Sequence, residues 1–453
     1  MKTLEPTINL LSPINSQRRA ELRKDKNYIH IMKYMGSKRE LLPDIKEVVS
    51  DLLPNGGGLL DLFAGTGSVG LYLKNDYTIL SNDIQEYSKA LTLGLIGSCS
   101  KEISTDVDFY KKKLFKHFQK NQSALRGLAS KTINLSNDFI KENEAGWSEK
   151  ARKEYLRFFD NFPSPVNEFK SKSEELIKIK DFYFEGIKKN KTSPHLQTFF
   201  LFAETYFSST QCVDIDSIRY AIEKAFSPED PEYHLCLTAL IYAHSYCSSG
   251  TGHFAMFRDL KDVKSITDVF LYRKRDVWSY FEKKLIEILE FHEYSPKLKH
   301  ESTTMDFLDI LNDKGLAKKY QLVYADPPYS FVHYSRFYHA TESLVKYDYA
   351  VPQFKGRYRG DRHQSPFCQG LNVEKAFTDM FKSSFMNKKI LVLSYSDTGM
   401  ISLAKLLEVA EGIGFKCIVK EISYNHSTLG REGHKTNLIK EYIVTFDPRR
   451  IKN

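Results

Sequence analysis

The chain has 453 residues, so two domains, or one core with a large insertion, is expected. Its 42% hydrophobic content suffices for a core, and no run of eighteen apolar residues occurs, which argues against a transmembrane helix and any membrane partner. Lysine and arginine outnumber the acids 66 to 57, and the net charge of +9 suits a polyanionic partner. Cys99, Cys212, Cys236, Cys247, Cys368 and Cys417 are scattered without a C-x-x-C pair, so reduced thiols in a cytoplasmic protein are expected and no metal site is. Glu5, Arg18, Arg19, Glu21 and Arg23 stand where a signal peptide would be apolar.

In chain order, residues 1–30 are polar and aperiodic, a leader laid over the surface. Tyr34-Met35-Gly36-Ser37-Lys38-Arg39 follows, then a helical pattern over 41–52 and a turn at Pro54-Asn55-Gly56-Gly57-Gly58. Leu59-Leu60-Asp61-Leu62-Phe63 suits a buried parallel strand. It breaks at Ala64 into Gly65, Gly67 and Gly70 as the helical run 69–73 begins. A strand, a glycine turn and a helix start make a cradle in which backbone approaches a ligand closely. The glycines also satisfy G-x-G-x-x-G, which dinucleotide enzymes share. Residues 77–83 read as a second strand ending in Asp83, which can accept hydrogen bonds from both ribose hydroxyls or simply cap the next helix.

Residues 100–300 change character. They are rich in Lys, Phe and Tyr, look helical at 151–159 and 174–183, and show no clear parallel strand. Lys111-Lys112-Lys113 and Lys188-Lys189-Asn190-Lys191 could grip phosphates, although each is equally a solvated helix face. Ser248-Ser249-Gly250-Thr251-Gly252-His253-Phe254 reads as a flexible loop leading to Arg258 and then Arg273-Lys274-Arg275. The α/β texture returns near 300, with Met305-Asp306-Phe307-Leu308 before a short helix and a strand over 320–325. Further strands are expected at 389–394, 415–422 and 441–446, a helix at 402–411, and a closing antiparallel hairpin from the last two strands.

The strand over 320–325 runs into Asp326-Pro327-Pro328-Tyr329, the most specific feature of the sequence. An exocyclic aromatic amine is a poor nucleophile because its lone pair is delocalised into the ring. Two acceptors for its N–H groups draw the nitrogen toward tetrahedral geometry. The Asp326 carboxylate and the Pro327 carbonyl can be those acceptors, since Pro327 and Pro328 restrict φ and fix the loop. Tyr329 offers a face on which a flipped base can stack, worth about 1–3 kcal/mol. The alternative is a plain strand-ending turn.

The D-x-F-x-G-x-G form of 61–67 resembles motif I of class I S-adenosylmethionine (SAM) methyltransferases, and with Asp326 to Tyr329 the chain resembles the Dam-like, α-ordered DNA adenine-N6 methyltransferases. The resemblance covers about 31–95 and 301–450. It implies an α/β class I SAM-methyltransferase fold, a Rossmann-like doubly wound sheet with a large, mostly helical inserted recognition region. It divides the chain into a leader (1–30), a SAM-binding part (31–100), a helical target-recognition region (101–300) and a catalytic part (301–453). It implies SAM as cofactor, held by Tyr34, Gly36, Lys38, Asp61, Phe63, Ala64, Gly65, Gly67, Asp83, Asp306 and Phe307, and catalysis at Asp326, Pro327, Pro328 and Tyr329. It implies methylation of adenine in double-stranded DNA, with a cognate restriction endonuclease as a possible companion.

By elimination the sequence reader lies in residues 100–300, and the expected DNA contacts are His253, Arg258, Arg273 and Arg275, with Arg357 and Arg359 on a basic loop after the catalytic motif. Rival readings stay open: a dinucleotide oxidoreductase, an RNA, protein or cytosine-N4 amine methyltransferase, and a DNA-binding module without turnover.

Overall fold

The computed structural model describes residues 7–10, 28–189, 194–258, 260, 263–292, 298–328, 331, 333–425 and 438–449. Its strands are β1 (Thr7–Leu10), β2 (Gly58–Asp61), β3 (Thr78–Asn82), β4 (Glu301–Thr303), β5 (Leu322–Ala325), β6 (Pro352–Gln353), β7 (Tyr358–Arg359), β8 (Ile390–Ser396), β9 (Lys416–Asn425) and β10 (Leu438–Asp447). Eight form one sheet in the order β1-β9-β10-β8-β5-β2-β3-β4, while β6 and β7 make a separate hairpin. The middle of the sheet is parallel, with Leu59 beside both Ile79 and Leu322, and Leu322 beside Ile390. β10 runs antiparallel to β8 and β9, which is the expected closing hairpin. Residues 7–10, expected in a surface leader, instead form an edge strand parallel to β9.

The central strands are apolar on both faces, which is what a parallel sheet covered on both sides requires. Alternation divides them cleanly. Leu59, Leu322, Tyr324, Val392 and Ile443 enter one buried cluster, and Leu60, Val323, Ala325, Leu391 and Val444 the other. The fold is thus mixed α/β around a mostly parallel sheet. Among the described residues no helix is long and apolar enough to cross a membrane, and no metal-ligand cluster forms.

The described residues between Val107 and Phe291 form helices and add no strand to the sheet. Helix Val107–Leu128 buries Tyr110, Leu114, Phe118, Asn121 and Leu125, spaced three or four apart as one face of a helix must be. Lys112 and Lys113 fall on its exposed face, the solvated alternative for that lysine run, and Lys111 pairs with Glu282 at 2.7 Å. These helices share a continuous buried cluster with one face of the sheet. The insertion is therefore packed on the sheet, not tethered beside it.

Within the helices lies a buried ion pair. Arg273 Nη1 meets Glu204 Oε2 at 2.8 Å, and both side chains are 1% exposed. Glu204 also accepts from Ser136 Oγ at 2.6 Å and from Ser209 N and Oγ at 3.0 and 2.8 Å. Arg273 was expected to reach DNA; that expectation is corrected, because its guanidinium is enclosed by its own fold. Arg273→Met should leave a buried carboxylate without its cation and cost about 3–5 kcal/mol. Urea unfolding of wild type and variant measures this, and a loss below about 1 kcal/mol would refute the role.

Candidate active site

The carboxyl ends of β2, β3 and β5 open into one cleft of about 1140 Å³, open solvent included. At this edge side chains beyond the strand ends meet helix N-termini, so ligands bind there in open α/β sheets. Asp61, Asp83 and Asp326 are three of the acids that line the cleft. Burial raises all three above the ordinary carboxylate range, Asp61 to about 7 with help from the negative charges of Asp326 and Asp83.

The glycine turn explains two of them. Gly65 and Gly67 have φ of 55° and 73°, a region L side chains rarely adopt. A Cβ at Gly65 would stand 3.0 Å from Tyr34 Oη, and one at Gly67 would stand 2.8 Å from Thr92 Cγ2. Asp83 Oδ2 accepts from Gly65 N at 2.9 Å and Oδ1 from Gln85 N at 3.0 Å, so the acid fixes the turn's backbone. The next helix, Glu86–Leu95, has Gln85 at its N-cap, so the plain-cap reading of Asp83 does not hold. Asp61 Oδ2 accepts from Gly70 N at 3.4 Å. Phe63, Ala64 and Phe307 also line the cleft, with Phe63 and Phe307 packed on Phe367 at ring distances of 5.4 and 4.9 Å. Asp306 lines it too, while its carboxylate caps helix Phe307–Asn312 through Leu308 N at 2.9 Å.

The segment 34–38 lies across the opening. Tyr34 stacks against Tyr338 at 4.8 Å and Tyr334 at 5.4 Å, and Met35 N donates to Tyr338 Oη at 2.8 Å. Gly36, with φ of 73°, passes under Tyr334, whose Oη would be 2.6 Å from a Cβ there. Lys38 points inward, and its Nζ lies 3.1 Å from Asp326 Oδ1. Its ammonium pulls the Asp326 carboxyl back toward ionisation, against the larger effect of burial. Pro327 and Pro328 line the cleft beside it. Tyr329 lies outside the described residues; Phe331, two residues on, is 76% exposed.

Several residues here were not singled out by sequence. Asn82 laces the sheet edge, donating to Leu62 O at 3.2 Å and Met305 O at 3.1 Å. Glu342, 7% exposed, accepts from Glu86 N and Tyr87 N at 3.1 Å each and so holds the start of helix Glu86–Leu95. Tyr334, Tyr338 and Glu342 recur at intervals of four after Asp-Pro-Pro-Tyr, a helical spacing that could have flagged them.

The expected DNA contacts fare unevenly. Residues 248–250, read as a flexible loop, are buried, with Ser249 N donating to Tyr206 O at 2.8 Å and Phe254 N to Phe337 O at 2.7 Å. His253 sits edge-on to Phe337 at 4.7 Å, beside the cleft's covering helix Tyr334–Phe337. Arg258 lies 3.8 Å from Asp268, and Arg275 covers the Tyr272 ring at 4.2 Å; both remain partly exposed. Arg357 is exposed on the β6–β7 hairpin. Arg359 is a second correction: it is 2% exposed and reaches Asp348 at 2.6 Å and Asp361 at 2.9 Å, so its charge anchors the hairpin.

A glycine turn held by Asp83 and the Asp-Pro-Pro loop of Asp326 thus share one cleft at the carboxyl edge of an α/β sheet, the place where such folds bind ligands. Residues 34–396 match the D12 class N6 adenine-specific DNA methyltransferases, and the chain belongs to that family. It is 24% identical over 430 residues to the modification methylase LlaI of Lactococcus lactis subsp. lactis, covering 92% of this chain and 55% of that protein. It is 24% identical over 403 residues to the modification methylase StsI of Streptococcus sanguinis, covering 87% and 48%. With the type II methyltransferase M.NlaIII of Neisseria lactamica it shares 23% over 424 residues, covering 91% and 98%. The chain therefore spans about half the length of the first two relatives.

Glu342 generates a pH prediction. Burial raises its carboxyl from 4.5 to about 7 in the folded protein. Its contribution to stability is therefore full below the unfolded value and lost as pH rises through about 7. The stability of the wild type relative to Glu342→Gln should decline across that window, read from denaturation midpoints at several pH values. A constant difference would refute it.

Proposed function

We propose that this protein is a SAM-dependent, site-specific DNA methyltransferase acting on the N6 amine of an adenine flipped out of duplex DNA. The carrying observation is that Asp326, backed by Lys38, faces the same cleft as the Gly65–Asp83 cradle. The strand order and the helices around it fit a class I, Rossmann-like methyltransferase fold, with residues 31–100 and 301–453 as its two parts and 101–300 as target reader. Work in the cytoplasm within a restriction-modification system, beside a cognate endonuclease, follows from the same reading.

The residues fit SAM. Gly65 lines the cleft and, with Gly67, gives the turn its positive φ, and Asp83 lines the same cleft, where its carboxylate can accept from a ribose hydroxyl. Tyr34, Gly36, Asp61, Phe63, Ala64, Asp306 and Phe307 would form the walls of that site. When bound, SAM supplies an electrophilic methyl group. The chain's own part is to orient the amine. Ionised Asp326 accepts one N–H, the Pro327 carbonyl a second, and the prolines keep both acceptors from relaxing. Tyr329 would hold the base by stacking.

Transfer of labelled methyl from SAM to unmethylated genomic DNA, followed by sequencing of modified bases, tests the reading. N6-methyladenine at a fixed site is expected; label on cytosine or RNA, or binding of NADH without SAM, would overturn it. Asp326→Ala should abolish transfer while leaving SAM affinity near normal by calorimetry, and equal loss of both would sink its role. Gly65→Val should instead lose SAM binding.

For DNA, Arg357, Arg258, Arg275 and His253 remain the proposed contacts. Arg357→Ala should weaken binding to all sequences alike and reduce the salt slope by about 1 if it meets phosphate. A relaxed choice of site would mean that it reads a base instead.

A further inference from the structure

The proposed reaction leaves one buried acid near the cleft without a part. Glu441 opens the inner half of β10, 4% exposed, in register with Ser396 of β8. Face alternation explains its position. Glu441 shares a face with Ile443, Ser394 and Ser396 share one with Val392, and Tyr324 and Asp61 lie on that same side of β5 and β2. Because β10 is antiparallel, its beginning lies at the edge where β2, β5 and β8 end. A polar strip thus crosses four strands, tied midway by a 2.7 Å hydrogen bond between Tyr324 Oη and Ser394 Oγ.

Lys38 spans the strip. Its Nζ lies 3.1 Å from Asp326 Oδ1 and 3.7 Å from Glu441 Oε2, and its side chain is 8% exposed. One ammonium between two carboxylates has two stations, and a flexible four-carbon stem lets it shift between them at little cost. We propose that Glu441 is a positioning residue that acts through Lys38, giving the ammonium a second seat when Asp326 engages the amine of the base.

The inference rests on the methyltransferase reading for its chemistry, and on the ion triad for its geometry. When the amine nitrogen takes the methyl group, the N–C bond forms, the S–C bond breaks, and the nitrogen becomes cationic. One of its protons passes to Asp326, whose neutral carboxyl no longer holds Lys38. Glu441 then takes the ammonium, so no charge is left unpaired in the buried strip; return of the proton to solvent resets the pair. Among the described residues, the groups facing Asp326 are Lys38 from the 3₁₀ turn Lys38–Leu41, Asp61 from β2, Tyr324 from β5, and, across Lys38, Glu441 from β10. Of these only Lys38 is a cation, so its placement decides how readily Asp326 ionises.

Two substitutions act in opposite directions. Glu441→Gln removes a competing anion and leaves Lys38 to Asp326, so the acid limb of the single-turnover rate should move down by about half a pH unit. Lys38→Met removes the cation, and the limb should move up by about one pH unit. The acceptor is unmethylated genomic DNA. The same opposed shifts should appear without substrate, in the Asp326 carboxyl titration followed by NMR of aspartate-labelled protein. In Glu441→Gln, SAM affinity, measured by calorimetry, should stay within about twofold of wild type, which also reports folding. Shifts in the same direction, or an unmoved limb in Glu441→Gln, would overturn the proposal. So would a Lys38→Met variant that loses SAM affinity while its acid limb stays in place. A wild type that methylates no DNA would defeat the proposed function instead, and the carboxyl titration would still test the triad.

Discussion

The constraint on which the rest depends is the crowding of acids at the carboxyl edge of a parallel sheet. Asp61, Asp83 and Asp326 are brought together because β2, β3 and β5 are neighbours and each delivers an acid at or just beyond its end. Left alone, three such groups away from bulk water would repel and favour their neutral forms. The surrounding chain answers each one differently. Asp83 receives two backbone N–H groups, Asp61 receives Gly70 N, and Asp326 receives the ammonium of Lys38. The acids holding the cradle are thus met by fixed dipoles, while the acid beside the prolines is met by a charge on a movable stem.

That difference suits two tasks. A cradle must keep its shape through every turnover, and backbone hydrogen bonds give it no alternative arrangement. An acceptor for an amine must be ionised when the base arrives, and it must then exchange one partner for another. A lysine serves such an exchange better than a backbone amide, because it can leave without unfolding anything. The stacking of Tyr34 against Tyr334 and Tyr338 fixes the start of the segment that carries Lys38, so any shift of the ammonium falls to the side chain.

Much of this architecture was legible in the sequence because it is local. The runs 59–63, 320–325 and 389–394 are apolar without alternation, which only a doubly covered strand explains, and all three are strands of the parallel sheet. The glycine turn and Asp-Pro-Pro carry their conformational meaning in a few residues. What could not be read depends on distant pairing. Glu342 meets the helix at Glu86 and Tyr87, Lys38 meets Glu441, and Arg273 meets Glu204, and no spacing rule links such positions. The misassigned arginines show the physical reason plainly. A basic cluster looks the same whether its charge faces solvent or an internal carboxylate, and Arg273 and Arg359 have the carboxylate. Tyr329, proposed to stack on the base, lies outside the described residues.

The long insertion follows from topology. β3 and β4 are parallel neighbours, so the chain between them must cross over one face of the sheet, and residues 83–300 are that crossover. Closing a longer loop costs only about 0.6 kcal/mol per doubling, so a crossover can grow once its helices bury enough surface to order themselves. These helices do so by joining the cluster on the face that also carries Asp61, Tyr324 and Glu441. The same packing sets the 248–254 loop against helix Tyr334–Phe337, through Phe254 N and the His253 ring. The crossover therefore reaches the rim of the cleft through that short helix. Asp83, Gln85 and Tyr87 at the start of the crossover line the cleft themselves, and within the basic segment His253 is the member that packs on this short helix, so it is the one best placed to couple that segment to the cleft.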